Sequence, residues 1–414
     1  MRKKNIIVVG AGAAGMMAAI RAKQIFEDVT LLEKKPTLGN KLLLSGKGRC
    51  NLTNACSLDE FLPRFSKNGE FLRDSFKKFF NQELMDFFQS RGLKLKIERQ
   101  LRVFPVTDRS SSILEVLKTE LEKLQVKVLC QTQVIDIFQE KGAVKGVVLK
   151  DGPALLCTQL ILATGGASYS FTGSDGLGIN FSAKLGHKII PLRPGLVPLE
   201  AKQGYIKELE GLTLKNVRFA FFCGKKQIIS EVGELLFTAS GISGPMVLSL
   251  SGSVVDWLKD KQPVYAEIDL KPALSREQLD NRLLREFKLN SKKTIRNTLK
   301  TLLPLRLIDV FIRQSGIDPR KVCSQITQEE RAKFISLLKG LRLDIISARP
   351  LNEAIVTRGG VSLKDINPRT MESRLIKGLY FCGEMIDIDA DTGGFNLQAA
   401  FSTGYLAGES AALA

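Results

Sequence analysis

Histidine is nearly missing from this chain. Of 414 residues only His187 carries an imidazole, which excludes a histidine-built metal centre and leaves little scope for histidine catalysis. The seven cysteines, at 50, 56, 130, 157, 223, 323 and 382, are odd in number, scattered and nowhere spaced Cys-x-x-Cys. That pattern argues against a disulfide framework or a zinc site and fits a reducing compartment. No stretch reaches the roughly 18 continuous apolar residues of a membrane span, so a soluble, cytoplasmic protein without metal or membrane partner is expected. Acidic residues are also short: 43 Asp and Glu face 61 Lys and Arg, a formal charge of +18. A field of that sign attracts nucleic acid or an anionic membrane surface; a generally basic proteome would give the same total. The apolar (44%) and charged (25%) fractions are those of an ordinary globular protein, and the length allows two or three domains.

What is present is concentrated at the start. Asn5 to Val9 is a short β-branched run that reads as a buried strand. It leads into Gly10-Ala11-Gly12-Ala13-Ala14-Gly15 and then a helix-forming stretch. In such a turn the first glycine permits the bend, the second admits a pyrophosphate, and the third lets helix and strand close up. The helix start offers free N–H groups to phosphate. A second strand, Val29 to Leu32, ends at Glu33, roughly 20 residues on, where a carboxylate grips ribose hydroxyls. Glu33 would repel a 2′-phosphate, so FAD or NAD is expected rather than NADP. Arg2-Lys3-Lys4 before this apolar run imitates a signal peptide, but the spaced glycines and the second strand argue for a domain instead.

Residues 36–54 form a loop with Ser45-Gly46-Lys47-Gly48-Arg49-Cys50-Asn51 at its centre, small and basic enough to wrap a cofactor. The phenylalanines of 59–92 recur at helical spacing and read as core contacts of a helical pair. A serine-capped helix over 110–124 precedes strands at 126–129, 134–138, 143–149 and 154–163, with a β-meander turn at Lys141-Gly142. Leu160 to Gly166 is another strand ending in glycines, and 172–178 opens a further helix. After Pro191 short strands at 195–200, 212–222 and 227–238 and a strand Val264–Leu270 precede a mostly helical stretch over 275–346. Eighteen Lys and Arg against eight Asp and Glu between 271 and 350 leave an excess of +10 there. Arg285, Lys288, Lys292, Arg296 and Lys300 would share one face of an unbroken helix, although Ser291 has the character of a cap. Sheet-like sequence then returns, with Gly383-Glu384 ending a strand and Gly393-Gly394 opening a small-residue helix. The fold class is therefore α/β: a Rossmann-like domain with a doubly wound parallel sheet and β-meander, carrying an inserted β-barrel-like and helical module. The expected divisions are 1–190 with 351–414, a β-rich domain over 191–270 with part of 340–350, and a basic helical domain over 271–340.

Gly10-x-Gly-x-x-Gly15 with Glu33, Ser-Gly-Lys-Gly-Arg-Cys-Asn-Leu-Thr-Asn at 45–54, Ala-Thr-Gly-Gly at 163–166, Val-Thr-Arg-Gly-Gly-Val at 356–361, Gly-Leu-Tyr-Phe-Cys-Gly-Glu-Met-Ile-Asp at 378–387 and Thr-Gly-Gly-Phe-Asn-Leu-Gln at 392–398 together resemble the BaiN/YhiN-like flavoproteins. The resemblance covers the whole chain; Lys47 departs from it, standing where a small residue, often glycine, is expected. It implies FAD held by a domain built from both chain ends and reduction of a C=C bond, in a ribosomal RNA uracil or an unsaturated bile-acid-type steroid. NAD(P)H would dock only transiently as electron donor, because a single full fingerprint is present. The candidate cofactor contacts are Gly10, Gly12, Ala13, Ala14, Gly15, Glu33 and Lys34 at the first turn, and Lys41, Ser45, Gly46, Arg49, Cys50 and Asn51 in the following loop. Val134, Ala163, Thr164 and Gly165 come from the middle of the chain, and Gly383, Glu384, Asp387, Gly394, Asn396 and Leu397 from its end. Cys50 is the candidate proton donor, Arg49 the candidate for an enolate or phosphate, and His187 reads as structural. Arg285, Lys288, Lys292 and Arg296 are the candidate contacts to ribosomal RNA. A steroid-like substrate or a non-catalytic, flavin-bearing RNA-binding protein are the alternatives.

Overall fold

The computed structural model describes residues 4–414; Met1, Arg2 and Lys3, including most of the basic start weighed above as a signal, lie outside the described residues. The chain forms two compact units. One runs to Gly195 and resumes at Pro350, and the other spans Leu196–Arg349.

The first unit is built on a five-stranded parallel sheet. Its strands, in chain order, are Ile6–Val9, Val29–Leu32, Lys127–Leu129, Gln159–Leu162 and Leu379–Phe381, and their spatial order is 3-2-1-4-5. The first strand is buried throughout, as expected where helices cover both faces. Strand order reverses between Val9 and Leu162, so the crevice at the topological switch point opens beside Gly10 and Ala163. The helix Ala13–Ile25 packs on the final helix, Phe395–Leu413. Gly404 and Gly408 allow this approach: a Cβ at either would strike the main chain at Ala14 or Ala18.

Strands Val134–Glu140, Ala143–Leu149 and Leu155–Leu156 form the meander. Its two-residue turn puts both Lys141 and Gly142 at positive φ, the hand that suits a hairpin. The strand expected at 126–129 joins the parallel sheet, and the run 154–163, expected as one strand, is two, one in each sheet. The phenylalanines of 59–92 are core, but on a series of short helices rather than a helical pair. Phe61 meets Phe76, Phe80 and Phe395 edge-on at 4.7–5.3 Å, and Phe79 stacks on Tyr405 at 4.5 Å.

In the second unit an antiparallel sheet closes on itself. Strand Thr213–Cys223 pairs with Gly233–Phe237 on one side and with Val264–Asp269 on the other, so only the short strand Lys226–Ile229 remains at an edge. The stretch read as helical to residue 346 ends earlier, at Lys339, and Leu341–Ala348 is a barrel strand. Its alternation of buried Leu341, Leu343 and Ile345 with polar or exposed neighbours has the period of a strand. Barrel and helices bury one shared core that includes Phe219, Phe237, Leu283, Phe311 and Phe334, rather than forming a β-rich and a helical domain. Among the described residues no helix is long and apolar enough to cross a membrane.

Candidate functional site

The three glycines of the first turn meet three different environments. A Cβ at Gly10 would lie 2.5 Å from the Ala163 carbonyl oxygen, and one at Gly15 would land on the carbonyl of Gly10; at Gly12 it would meet nothing within 4 Å. Gly10 and Gly15 are thus required by packing, while Gly12 borders open space. The helix that begins at Ala13 has no side-chain cap and no acidic residue in its first turn, so its leading N–H groups, those of Ala13, Ala14 and Gly15, offer a positive end to an anion. At the end of the second strand the Glu33 carboxylate accepts from the N–H groups of Ala11 (2.8 Å) and Lys35 (2.9 Å). Thr132 N–H donates to the Glu33 carbonyl, which ties the meander and its buried first residue Val134 to the same spot. Lys34 pairs with Asp175 at 2.6 Å.

The carboxyl edges of the later strands bring together residues that are far apart in the chain. Glu384 pairs with Lys41, accepts from Ser168 Oγ at 2.8 Å and accepts from Thr357 N–H at 2.7 Å. Burial pushes the Glu384 carboxyl up, and the Lys41 charge with these hydrogen bonds outweighs it, leaving the group below its ordinary range. Thr357 Oγ1 accepts from the N–H groups of Ala167 and Ser168, which pins the loop after Ala163-Thr164-Gly165. Lys41 and Glu384 were legible candidates. Ser168 and Thr357 were not, since no local spacing links positions 41, 168, 357 and 384.

The loop 45–54 is fastened to the start of the final helix. With its carbonyl oxygen toward Gly394, the Asn51 amide accepts from Gly394 N–H and donates to the Thr53 carbonyl, both at 3.1 Å. Asn54 donates to the Gly393 carbonyl and Thr53 to Gln398. Lys47 sits at φ 57 between Gly46 and Gly48, a backbone region that favours glycine. Ser45 caps the preceding turn by donating to Leu42 O. Leu397 packs partly buried against the core.

Three candidates fare differently from expectation. Cys50 has no exposed surface, and burial pushes its thiol up to about 12; a group sealed in this way packs rather than donating a proton to a substrate. Arg49 is already engaged, bonding to Glu98 and Asp108 and lying over the Phe104 ring at 4.2 Å, so it is not free for an enolate or phosphate. Asn396 accepts from Ala390 N–H and donates to the carbonyls of Ala390 and Asp391, so its amide shapes the loop 387–394. On that loop Asp389 pairs with Arg358 at 3.7 Å and Asp391 with Arg64 at 3.9 Å. Asp387 accepts from Asn68, and burial raises its carboxyl above the ordinary range. His187 is buried with both ring nitrogens bonded, to Ser182 O and Ser373 Oγ.

In the second unit the predicted cationic stripe is broken. The helix Arg276–Leu289 ends before a short helix Ile295–Thr298, capped at Thr294 rather than at Ser291. Arg296 is tied bidentately to Asp309. Arg285, Lys288, Lys292, Lys293 and Lys300 are exposed and have no ion pair among the described residues.

Residues 4–410 match the family described as HI0933-like protein Rossmann domain. A 3-dehydro-bile acid delta(4,6)-reductase of Clostridium scindens is 32% identical over 411 residues, covering 99% of each chain. A ribosomal RNA dihydrouridine synthase of Haemophilus influenzae is 31% identical over 96% of each chain. One of Escherichia coli is 30% identical over 98% of this chain and 97% of that protein. A quinol–fumarate reductase structure superposes over 100% of this chain and 72% of its own at TM-score 0.51 and 18% identity. A 3-ketosteroid-Δ4-(5α)-dehydrogenase of Rhodococcus jostii does so over 99% and 96% at 0.50 and 15%. At these identities the two structures speak for the fold alone.

Proposed function

The chain belongs to the HI0933-like family and is an FAD-dependent oxidoreductase, and from that premise we propose that it reduces a uracil ring of ribosomal RNA to dihydrouracil. FAD, when bound, supplies a hydride donor. The residues present fit it: an uncapped helix start, an open face at Gly12 and a carboxylate at Glu33 suit the ADP half. Gly383 and Gly394 would border the ribityl and ring end, beside the mutually paired Lys41 and Glu384. NAD(P)H is the proposed electron donor, docking without a second dinucleotide fingerprint.

The names of the relatives do not choose a substrate, since 32%, 31% and 30% identity are equivalent. One observation favours RNA: Arg285, Lys288, Lys292, Lys293 and Lys300 form an exposed cationic stretch without acidic partners among the described residues. Phosphates would displace counterions there, and the uracil would leave its stack to be reduced. A small apolar substrate has no use for such a surface. The Clostridium scindens relative supports the second reading, a steroid-like C=C reductase.

The test is turnover in vitro. FAD-loaded protein with NADPH and protein-free ribosomal RNA is expected to form dihydrouridine at a rate that falls steeply with salt. Absence of dihydrouridine, with turnover of an unsaturated 3-oxo bile acid under the same conditions, would replace this reading with the second.

A further inference from the structure

Reduction of a C=C bond takes a hydride at one carbon and a proton at the next, and the sealed thiol of Cys50 is not placed to supply that proton. Tyr380 is also sealed, His187 has both nitrogens bonded, and Glu384 is held as a carboxylate by Lys41. Resting on the reading of the chain as a uracil reductase, we propose that Asp387 is the acid that protonates the ring carbon beside the one that receives hydride.

Asp387 lies on the loop between Gly383-Glu384, which ends the last parallel strand, and Gly393-Gly394, which opens the final helix. Both flanking segments belong to the proposed cofactor site. Its N–H donates to Val361 O at 3.0 Å, and the Asn68 amide donates both to the Asp387 carbonyl (3.0 Å) and to Oδ2 (3.3 Å). The backbone is therefore fixed on two sides while the carboxyl keeps neutral donors, Asn68 and Gly359 N–H. Its loop companions Asp389 and Asp391 have arginine partners. Asp387 has no ion pair among the described residues, although Lys67 and Arg358 are near enough to offset part of the effect of burial. Burial raises its proton affinity, whereas Glu384, Glu98 and Asp108 all move the other way.

In the step, C6 of uracil receives the hydride with its electron pair and C5 takes the proton from the Asp387 carboxyl. The carboxylate regains a proton from water, and the electron pair is replaced by NAD(P)H. Because the acid form is required, turnover falls as pH rises through the Asp387 pKa.

Asp387→Asn tests this. Expressed per bound FAD, the rate of flavin reduction by NADPH should stay at the wild-type value, while single-turnover formation of dihydrouridine falls by about 100-fold or more and its alkaline limb disappears. Asn68→Ala removes a donor to the charged form, so the limb should move to higher pH. Carbon-13 NMR of the aspartate carboxyls, read in the absence of turnover, should show a titration above the usual range that vanishes in Asp387→Asn and moves up in Asn68→Ala. Melting temperature gives a further reading without turnover. A raised carboxyl pKa means stability that is full below the unfolded value and lost as pH rises through the folded one, so Asp387→Asn should melt higher than wild type at pH 7 and not at pH 3. A wild type that forms no dihydrouridine overturns the parent reading. A wild type that forms it while Asp387→Asn keeps pace, with its alkaline limb in place, overturns the assignment of Asp387 alone.

Discussion

Around the first turn and the final helix of the unit made of both chain ends, glycine stands where a methyl group has no room; in the inserted unit Gly241 is placed as tightly against Leu199 O, while several other glycines border open space. Gly10, Gly15, Gly360, Gly394, Gly404 and Gly408 each face main-chain atoms closer than a Cβ tolerates, whereas Gly204, Gly211, Gly224 and Gly316 meet nothing within 4 Å. Charge runs the other way. At the first unit's site the cations are spoken for, Lys41 by Glu384, Arg49 by Glu98 and Asp108, and Arg358 by Asp389. Along 285–300 of the insert most are free of acidic partners. The first arrangement fixes backbone positions closely, as a cofactor cradle must. The second leaves a field open to a polyanion.

The sharpest way to break this contrast is a single methyl group. Gly15→Ala should cost about 3 kcal/mol or more, because backbone has to move, and should abolish FAD retention, while Gly204→Ala leaves melting temperature and flavin content unchanged. Equal behaviour of the two variants would erase the distinction between the units. Next in size is Lys41→Met, which leaves the half-buried Glu384 without its cation at a cost of about 3 kcal/mol at neutral pH. Glu384 has a lowered pKa, so its contribution is present above the unfolded carboxylate value and lost as pH falls through the folded one. The gap in denaturant midpoint between wild type and Lys41→Met should therefore close in acid. A gap that stays constant with pH would mean that Lys41 acts through packing alone.

The insert is probed by replacing Arg285, Lys288 and Lys292 with alanine together. Binding of a single-stranded ribosomal RNA fragment should weaken, and the slope of log affinity against log salt should shrink by about 2, with FAD content unchanged. Arg296→Ala, which removes a residue already paired with Asp309, should leave that slope as it is. If the two substitutions act alike, total charge rather than unpaired charge governs binding. The smallest effect concerns Lys47. Placed at φ 57, it should yield to Lys47→Gly with a gain of about 0.5–1 kcal/mol, read as a higher midpoint in urea; a loss would show that the lysine side chain earns its strained position.

Much of the first unit was legible because its signals are local. Strand, glycines, helix, strand and Glu33 follow one another within 33 residues, and the turn at Lys141-Gly142 announces its own hairpin. The network of Lys41, Ser168, Thr357 and Glu384 was not legible as a whole, since four strand and loop ends meet only after the sheet is assembled in its 3-2-1-4-5 order. The sealing of Cys50 is likewise a tertiary fact: a small polar loop looks open until it is folded onto the strand pair at 95–105. In the insert, composition spoke more clearly than periodicity. The charge excess was plain, but the helix break after Leu289 and the strand at Leu341–Ala348 were hidden in a run of otherwise helical character, where barrel pairing decides the outcome.

The central claim is that this flavoprotein acts on ribosomal RNA. Mass spectrometry of nucleosides from purified ribosomal RNA of cells with and without the gene tests it most directly. Dihydrouridine is expected to be lost from that RNA when the protein is absent and restored by the wild-type chain, but not by the Gly15→Ala variant. An unchanged dihydrouridine content in ribosomal RNA would contradict it.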